Sequence, residues 1–528
     1  MKLFTSLVII LLVLGLIAFG AIKYFDIDVE LFDTYLQETS DAGGDLTKIT
    51  GAGDAYVGYF VLQSRKLKQQ ARRAPTSLNV VWKDDGADYR DRVKKLEDGV
   101  YDYIVMPVSE WLVWGKYDID ENGRKKKRRN PFPGVIVSVL AESRGADVML
   151  GFGNVVTGNV KDLDPNLTYA YIAGTPSETL LNSMVANLQL DIPEENRVKV
   201  DSEDDLIKLA DQQGADVFIT WEPIATRLRT KHGMVDIWSS KEFRGYIKDV
   251  LIWNRDRVGR DKERIARFMG AYFRTLGLYS AQRSQLIADM RKSYSDLSQQ
   301  EIERLIGTVE FVDVHENATQ EFGVEENSSG QLGDGLMQTI DDCIVLQLQF
   351  GNLDSEPIDD PAKLVKDDFI AELAAKKSQV FASPRVAQTE WMQLSDSEWN
   401  GLQDGPLLRL RPVTFHQHTA KLTEIGVETV DTFARQLKQT YPGFRIKVIG
   451  HTRSGGDPRI LMDLSQKRAK AVIRRLITVH NIDADRMRAY GMGGNERPSY
   501  KLPGRNRRER MQNTARVEFK LVDSGQSL

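Results

Sequence analysis

The sequence predicts an α/β protein built from more than one domain. Its 528 residues exceed what a single hydrophobic core holds together. Strand-like runs alternate with amphipathic helical runs from Leu46 to about Lys377. A second strand–turn–helix pattern near the C-terminus is set apart by a weakly patterned stretch, Ser378 to Gln403, with Pro384 and several Ser, Asp and Gln. Hydrophobic content of 41% with 28% charged residues is that of a globular chain.

The chain opens on an almost unbroken apolar run, Leu3 to Ile22, between Lys2 and Lys23. It is long enough to cross a bilayer as one helix. A cleavable signal peptide is the rival reading, with Ala18-Phe19-Gly20 as a small-residue site, although such signals have shorter apolar cores. We expect an anchor at 1–24 and a linker at 25–44. Asp26, Asp28 and Glu30 follow the run, which puts the N-terminus in the cytoplasm and the bulk in the periplasm. The run holds no Asp or Glu, so it reads as a tether and not as part of a proton path.

Within the α/β region, Leu78–Trp82, Tyr103–Met106, Val135–Ala141 and Ala215–Trp221 read as strands and Tyr89–Leu96 as a helix. Gly174–Thr179 has a physical reason to face an anion: Pro176 suits a first helical turn, and Thr175, Ser177 and Thr179 set hydroxyls beside unpaired N–H groups. Ser143-Arg144 follows a strand, where α/β clefts open, and Arg144 suits a carboxylate, sulfonate or phosphate. Tyr56, Tyr59, Phe60, Trp111, Trp114, Trp221 and Trp253 are candidate pocket walls or core. The six basic residues Arg124–Arg129 read as a solvated loop. Gly151-Phe152-Gly153 lacks the Gly-Lys-Ser/Thr of a nucleotide loop.

Several phrases resemble the type 2 periplasmic substrate-binding proteins, in the branch that takes nitrate, alkanesulfonates or thiamine precursors. They are Asp98–Asp102, Ala141–Asp147, Gly174–Thr179, Gly214-Ala215-Asp216 with Trp221-Glu222-Pro223, and Leu251–Val258. The resemblance implies a two-lobed substrate-binding domain at 45–380, one lobe near 45–145 and 245–380 and the other near 146–244. A small anionic solute would lie between them, held by Ser143, Arg144, Thr175, Ser177, Thr179, Trp221 and Glu222.

In the C-terminal region Ile446–Ile449 reads as a half-buried strand, His451–Asp457 as a polar loop, and Ser465 as the cap of an amphipathic helix through Ala469, Val472, Ile473, Leu476 and Ile477. Gly450-His451-Thr452, Leu464-Ser465 with Arg468-Ala469, Gly491–Gly494 and Ala515–Phe519 resemble the OmpA-like peptidoglycan-binding domain, here expected at 404–528 after a linker at 381–403. In that family an Asp after Gly-His-Thr takes the ammonium of a diaminopimelate residue and the Arg of the helix takes its carboxylate. Arg468 is present, but Arg453 stands where the Asp belongs and offers an ammonium the wrong charge. The resemblance thus implies weak or altered peptidoglycan binding through Thr452, Arg468 and Arg516, with Asp457 or Asp463 as replacement carboxylate.

Residues 401–528 hold 24 Lys and Arg against 12 Asp and Glu, a net of +12, while the whole chain is at −4. A basic module suits an anionic polymer, and the acidic remainder favours cell wall over nucleic acid. Cys343 is the only cysteine, so neither an intramolecular disulfide nor a multi-cysteine metal site exists. Of the six His, only His232 and His315 fall in the α/β region, and neither sits in a catalytic motif. No cofactor, nucleic acid or enzymatic activity is expected. The expected protein is a single-pass inner-membrane, periplasmic solute-binding protein docked on the wall, serving a transporter or a sensor. A membrane-to-wall strut with a non-functional cleft and a thiamine-precursor-related enzyme are the alternatives.

Overall fold

The computed structural model describes residues 46–522 except 74, 121–123, 157–162, 165, 189–191, 328–329, 331, 377–390, 409, 442, 454 and 495–514. The chain divides into two units, Met1–Thr47 and Lys48–Leu528, and the elements described belong to the second apart from the start of β1. The apolar run Leu3–Ile22 lies outside the described residues. Among the described residues no helix is long and apolar enough to cross a membrane.

The first lobe begins with β1 (Thr47–Gly53), β2 (Leu78–Asp84), helix α1 (Tyr89–Glu97), β3 (Tyr103–Pro107) and α2 (Val108–Trp114). Asp88 caps α1 by accepting from Asp91 N at 3.0 Å, and the helix buries Tyr89, Val93 and Leu96 one turn apart. A short ribbon of β4 (Tyr117–Ile119) and β5 (Lys125–Lys127) precedes β6 (Gly134–Ser143), whose ten residues are all buried. The basic run is therefore not simply a solvated loop. Lys125–Lys127 are exposed, but Arg128 is buried, pairs with Glu97 at 2.8 Å and donates to Trp114 O.

The chain then crosses into the second lobe: β7 (Asp147–Phe152), β8 (Tyr169–Ile172), α3 (Pro176–Asn187), β9 (Arg197–Val200), β10 (Val217–Trp221), α4 (Ile224–His232) and β11 (Met234–Ser239). It returns through β12 (Lys248–Asn254), α5 (Lys262–Ala281), β13 (Val309–Phe311) and α6 (Gly335–Gln349). The sheets run β13-β6-β12-β3-β1-β2 and β11-β7-β10-β8-β9. In each, the central parallel strands are joined by one antiparallel strand that has just crossed from the other lobe, β12 beside β3 and β7 beside β10. Trp253 and Tyr103 stack at 5.6 Å with Phe268 of α5 against both, and each such side chain contributes roughly 1.5–3 kcal/mol by leaving water.

The C-terminal module has β14 (Asp404–Leu407), α7 (Glu424–Gln439), β15 (Arg445–Gly450), α8 (Pro458–Thr478), β16 (Met487–Gly491) and β17 (Val517–Val522), in sheet order β14-β17-β15-β16. Helix α8 starts at Pro458 with Asp457 as cap, two turns before the expected Ser465. Ser465 instead lies inside the helix, where its hydroxyl donates to Met462 O and accepts from Gly493 N at 3.0 Å. Asp396–Gly401 is already helical with Trp399 buried, so the expected linker gives way to structure before residue 403. The module also shares a core with the second lobe. Trp238 stacks on Phe444 at 6.4 Å, Phe243 meets Tyr441 at 5.9 Å, and Arg244 N donates to Thr440 O at 3.0 Å.

Candidate functional site

Parallel α/β sheets present ligands at the carboxyl ends of their strands, where side chains and helix starts converge. Here β1 ends at Asp54, β3 at Pro107, β8 at Gly174-Thr175 and β10 at Trp221. The two crossing strands run antiparallel to β3 and β10, so their first residues fall at the same edges: Asp249 is in register with Pro107, and Asp147 with Trp221. Asp54, Tyr56, Tyr59, Tyr89, Asp249 and Pro107 from one lobe meet Asp147, Pro176 and Trp221 from the other around a narrow cavity of about 10 Å3.

This cavity is acidic. Asp147 is buried with the Ser143 hydroxyl beside it, and among the described residues neither carboxylate oxygen has a hydrogen-bond partner of good geometry. Burial pushes its carboxyl up to about 7. Asp249 accepts from the Tyr59 hydroxyl on one oxygen, its other oxygen has no partner among the described residues, and burial raises it well above the usual carboxylate range. Asp54 pairs with Arg92 at 2.9 Å, but that guanidinium is shared with Asp85, to which its Nε donates at 2.7 Å. The Tyr56 hydroxyl is buried near Ser143, and Ser177 Oγ is buried with no partner among the described residues.

A larger cavity, about 330 Å3, flanks the start of α3 between Trp114, Thr175, Thr179, Lys125, Lys199 and Gln347. Glu110 lines it, held by Ser109 Oγ at 2.6 Å and Thr179 Oγ1 at 2.9 Å, with burial pushing its carboxyl up to about 8.

The structure redistributes the residues expected to grip an anion. Arg144 pairs with Glu142 at 3.0 Å and with Glu310, so its charge is met inside the protein. Ser143 is a hinge residue: its hydroxyl bonds Ser240 Oγ at 2.6 Å and accepts from Asp147 N at 3.1 Å. Glu222 is fully buried, accepts from Thr226 N and Oγ1, and pairs with Arg229 at 2.6 Å. Thr175 donates to Ile172 O, and at the start of α3 the carboxylate of Glu178 already accepts from Gly174 N at 2.7 Å. An internal carboxylate thus takes the place expected for a bound anion. Gly174, at φ +69°, allows this turn, where a Cβ would come within 2.9 Å of Trp114.

In the smaller cavity an anionic solute would meet carboxylates, whereas the larger one carries Lys125 and Lys199 beside Glu110, Glu178 and Asp201. Of the candidate aromatics, Tyr56, Tyr59 and Trp221 line the smaller cavity and Trp114 the larger, while Phe60, Trp111 and Trp253 are core. Sequence reasoning missed Asp54, Asp147 and Asp249. Their signal was present: each is a lone carboxylate at the end of an otherwise apolar strand, in GAGD, DVMLGF and KDVLIW.

In the C-terminal module Thr452 is buried, its N–H donating to Gly493 O at 2.8 Å. Arg468 donates from Nε to Thr419 O at 3.0 Å, lies 5.0 Å from the Phe415 ring, and is held below its usual range by burial and by Arg453. Arg516 is committed to Glu518 at 2.6 Å. Both replacement carboxylates are engaged elsewhere: Asp457 caps α8 through Arg459 N, and Asp463 pairs with Lys467 at 2.6 Å on the exposed face.

Two lobes whose parallel strands point their carboxyl ends at a shared cavity, linked by two crossing strands, constitute a periplasmic-binding-protein-like fold, and a further α/β module follows it. That module is an OmpA domain: residues 414–511 match the OmpA family. The probable lipoprotein YiaD of Escherichia coli (strain K12) is 37% identical over 109 residues, 21% of this chain. Those residues are 47% of YiaD, so the chain spans about half the length of the curated relative it matches. Over the two lobes the chain is similar to the periplasmic aliphatic sulphonate binding protein SsuA from Escherichia coli, at 14% identity and TM-score 0.46, covering 67% of this chain and 98% of that one. It is similar to the periplasmic nitrate-binding protein NrtA from Synechocystis PCC 6803 at 12% identity and TM-score 0.46, covering 64% and 92%.

Proposed function

We propose that this protein is a non-enzymatic solute receptor of the bacterial envelope, tethered by the run Leu3–Ile22 and docked on peptidoglycan through its OmpA domain. The observation that carries the reading is the convergence of Asp54, Asp147, Asp249 and Trp221, from both lobes, on one cavity. Buried carboxylates without donors cost stability, and a binding role accounts for their retention. A strut with a disused cleft has no need of them. Neither His232, half-buried and paired with Asp211 at 2.9 Å, nor His315 lines the cavity, so the histidine that the thiamine-precursor enzyme calls for is not among its walls.

The receptor feeds a transporter or reports to a sensor in the inner membrane. Wall contact rests on Arg468 and the net +12 of residues 401–528. Native mass spectrometry of the purified chain tests the receptor reading: a small molecule that co-purifies and is lost on substitution of Trp221 supports it. A chain that is folded, free of any small molecule and inert to solute panels would leave the strut.

A further inference from the structure

Granting the receptor reading, the structure assigns a ligand class opposite to an anion. We infer that the interlobe cavity binds a small organic cation, its ammonium group paired with Asp147 and Asp249 and lying against the rings of Tyr56, Tyr59 and Trp221.

The charge balance carries the argument. The titratable groups that act on Asp147 or feel its charge are Asp54, Asp249, Glu222, Glu110 and Tyr56, and none is a cation. The one guanidinium bordering the cavity, Arg92, is already divided between Asp54 and Asp85 and lies 4.6 Å from the Tyr89 ring. Among the described residues the Asp147 carboxylate therefore has only the Ser143 hydroxyl beside it and one oxygen of Asp249 has no partner, buried where lone charge is expensive. A ligand bringing positive charge meets these acceptors, and a nitrate or sulfonate would add repulsion.

The walls decide what kind of cation. Among the described residues no three carboxylate, imidazole or thiol groups come close enough to hold a metal ion. Aromatic rings beside carboxylates suit an alkylated or primary ammonium, which gains from ring faces as well as from ion pairing. The free space among these side chains is about 10 Å3, room for about one water, so an ammonium is admitted only as the lobes part.

The raised carboxyl of Asp147 adds a pH signature. An ammonium binds the ionised form, which at a value of about 7 rises from roughly a tenth of molecules at pH 6 to nine-tenths at pH 8. Affinity should follow.

The test is calorimetric titration of the full chain in detergent, freed of bound molecules by dialysis. The probes are methylammonium, tetramethylammonium, choline, ethanolamine and putrescine, against nitrate and ethanesulfonate. The expected result is binding of at least one ammonium probe, about tenfold tighter at pH 8 than at pH 6. Asp147→Asn should weaken it about 100-fold or more. The same variant must keep its circular dichroism and melt no lower than the parent at pH 8, which separates lost recognition from lost folding. Binding of nitrate or ethanesulfonate with no ammonium bound overturns the cation inference and leaves the receptor reading standing. Failure of every probe, with a co-purifying anion or neutral molecule in native mass spectrometry, does the same; with a co-purifying cation it upholds the inference. Failure of every probe with nothing co-purifying overturns both.

Discussion

Ser143, the last residue of β6, and Ser240, just after β11, stand where the chain leaves one lobe for the other and share a hydrogen bond of 2.6 Å between their hydroxyls. Ser240 Oγ also accepts from Gly145 N at 2.8 Å, so one hydroxyl ties both crossings together. Ser240→Ala leaves a buried hydroxyl and a backbone N–H unmet and should destabilise the chain by about 1–3 kcal/mol. Denaturation of both single variants and the double variant should give a coupling of about 1 kcal/mol between the two serines. Additive losses would mean that the bond does not link the crossings.

Asp147 makes stability fall as pH rises. Its folded carboxyl sits near 7 against about 4 when unfolded, so between those values the folded state holds a proton that the unfolded state has released. The penalty is absent below about pH 4 and complete above about pH 7, amounting to about 4 kcal/mol as an upper bound. Ligand-free Asp147→Asn should therefore melt well above the parent at pH 8 and much closer to it at pH 5. Equal melting differences at both values would place the Asp147 carboxyl in its ordinary range.

Glu222 should behave as a structural residue. Glu222→Gln disrupts a buried pair, and because Arg229 keeps Asp236 at 2.6 Å the loss falls near the low end of such changes, about 3 kcal/mol. Thermal denaturation reads the loss, while titration with the bound solute should show affinity changing far less than stability. A large affinity loss in a stable variant would return Glu222 to the ligand site.

Wall binding should be weak and salt-dependent, since Arg453 bears on Arg468 and the nearby carboxylates Asp457 and Asp463 are bonded to Arg459 N and Lys467. Arg453→Asp should tighten association with purified sacculi and flatten its salt dependence, and Arg468→Ala should abolish specificity. Pull-downs of the full chain across a salt series measure both. Tight binding by the parent that persists at high salt would show that another carboxylate takes the ammonium.

The strands, helices and two-part organisation were legible because periodicity and turn chemistry are local: Leu78–Asp84, Tyr89–Glu97 and Tyr103–Pro107 lie where their patterns put them. The site was legible only in part. Trp221 could be picked from its phrase, but which charges converge depends on register across strands distant in sequence, such as Asp249 opposite Pro107. Arg144 and Thr175 looked free because their partners, Glu310 and Ile172 O, are brought to them by folding. The position of α8 was misjudged for a local reason: Ser465 resembles a cap, but Asp457-Pro458 is the stronger start.

The packing of Trp238 and Phe243 on Phe444 and Tyr441 welds the OmpA domain to the second lobe, whereas the chain from the proposed membrane tether enters the first lobe through β1. A load carried between membrane and wall would therefore pass across the cleft, with Asp147 on one bank and Asp249 on the other.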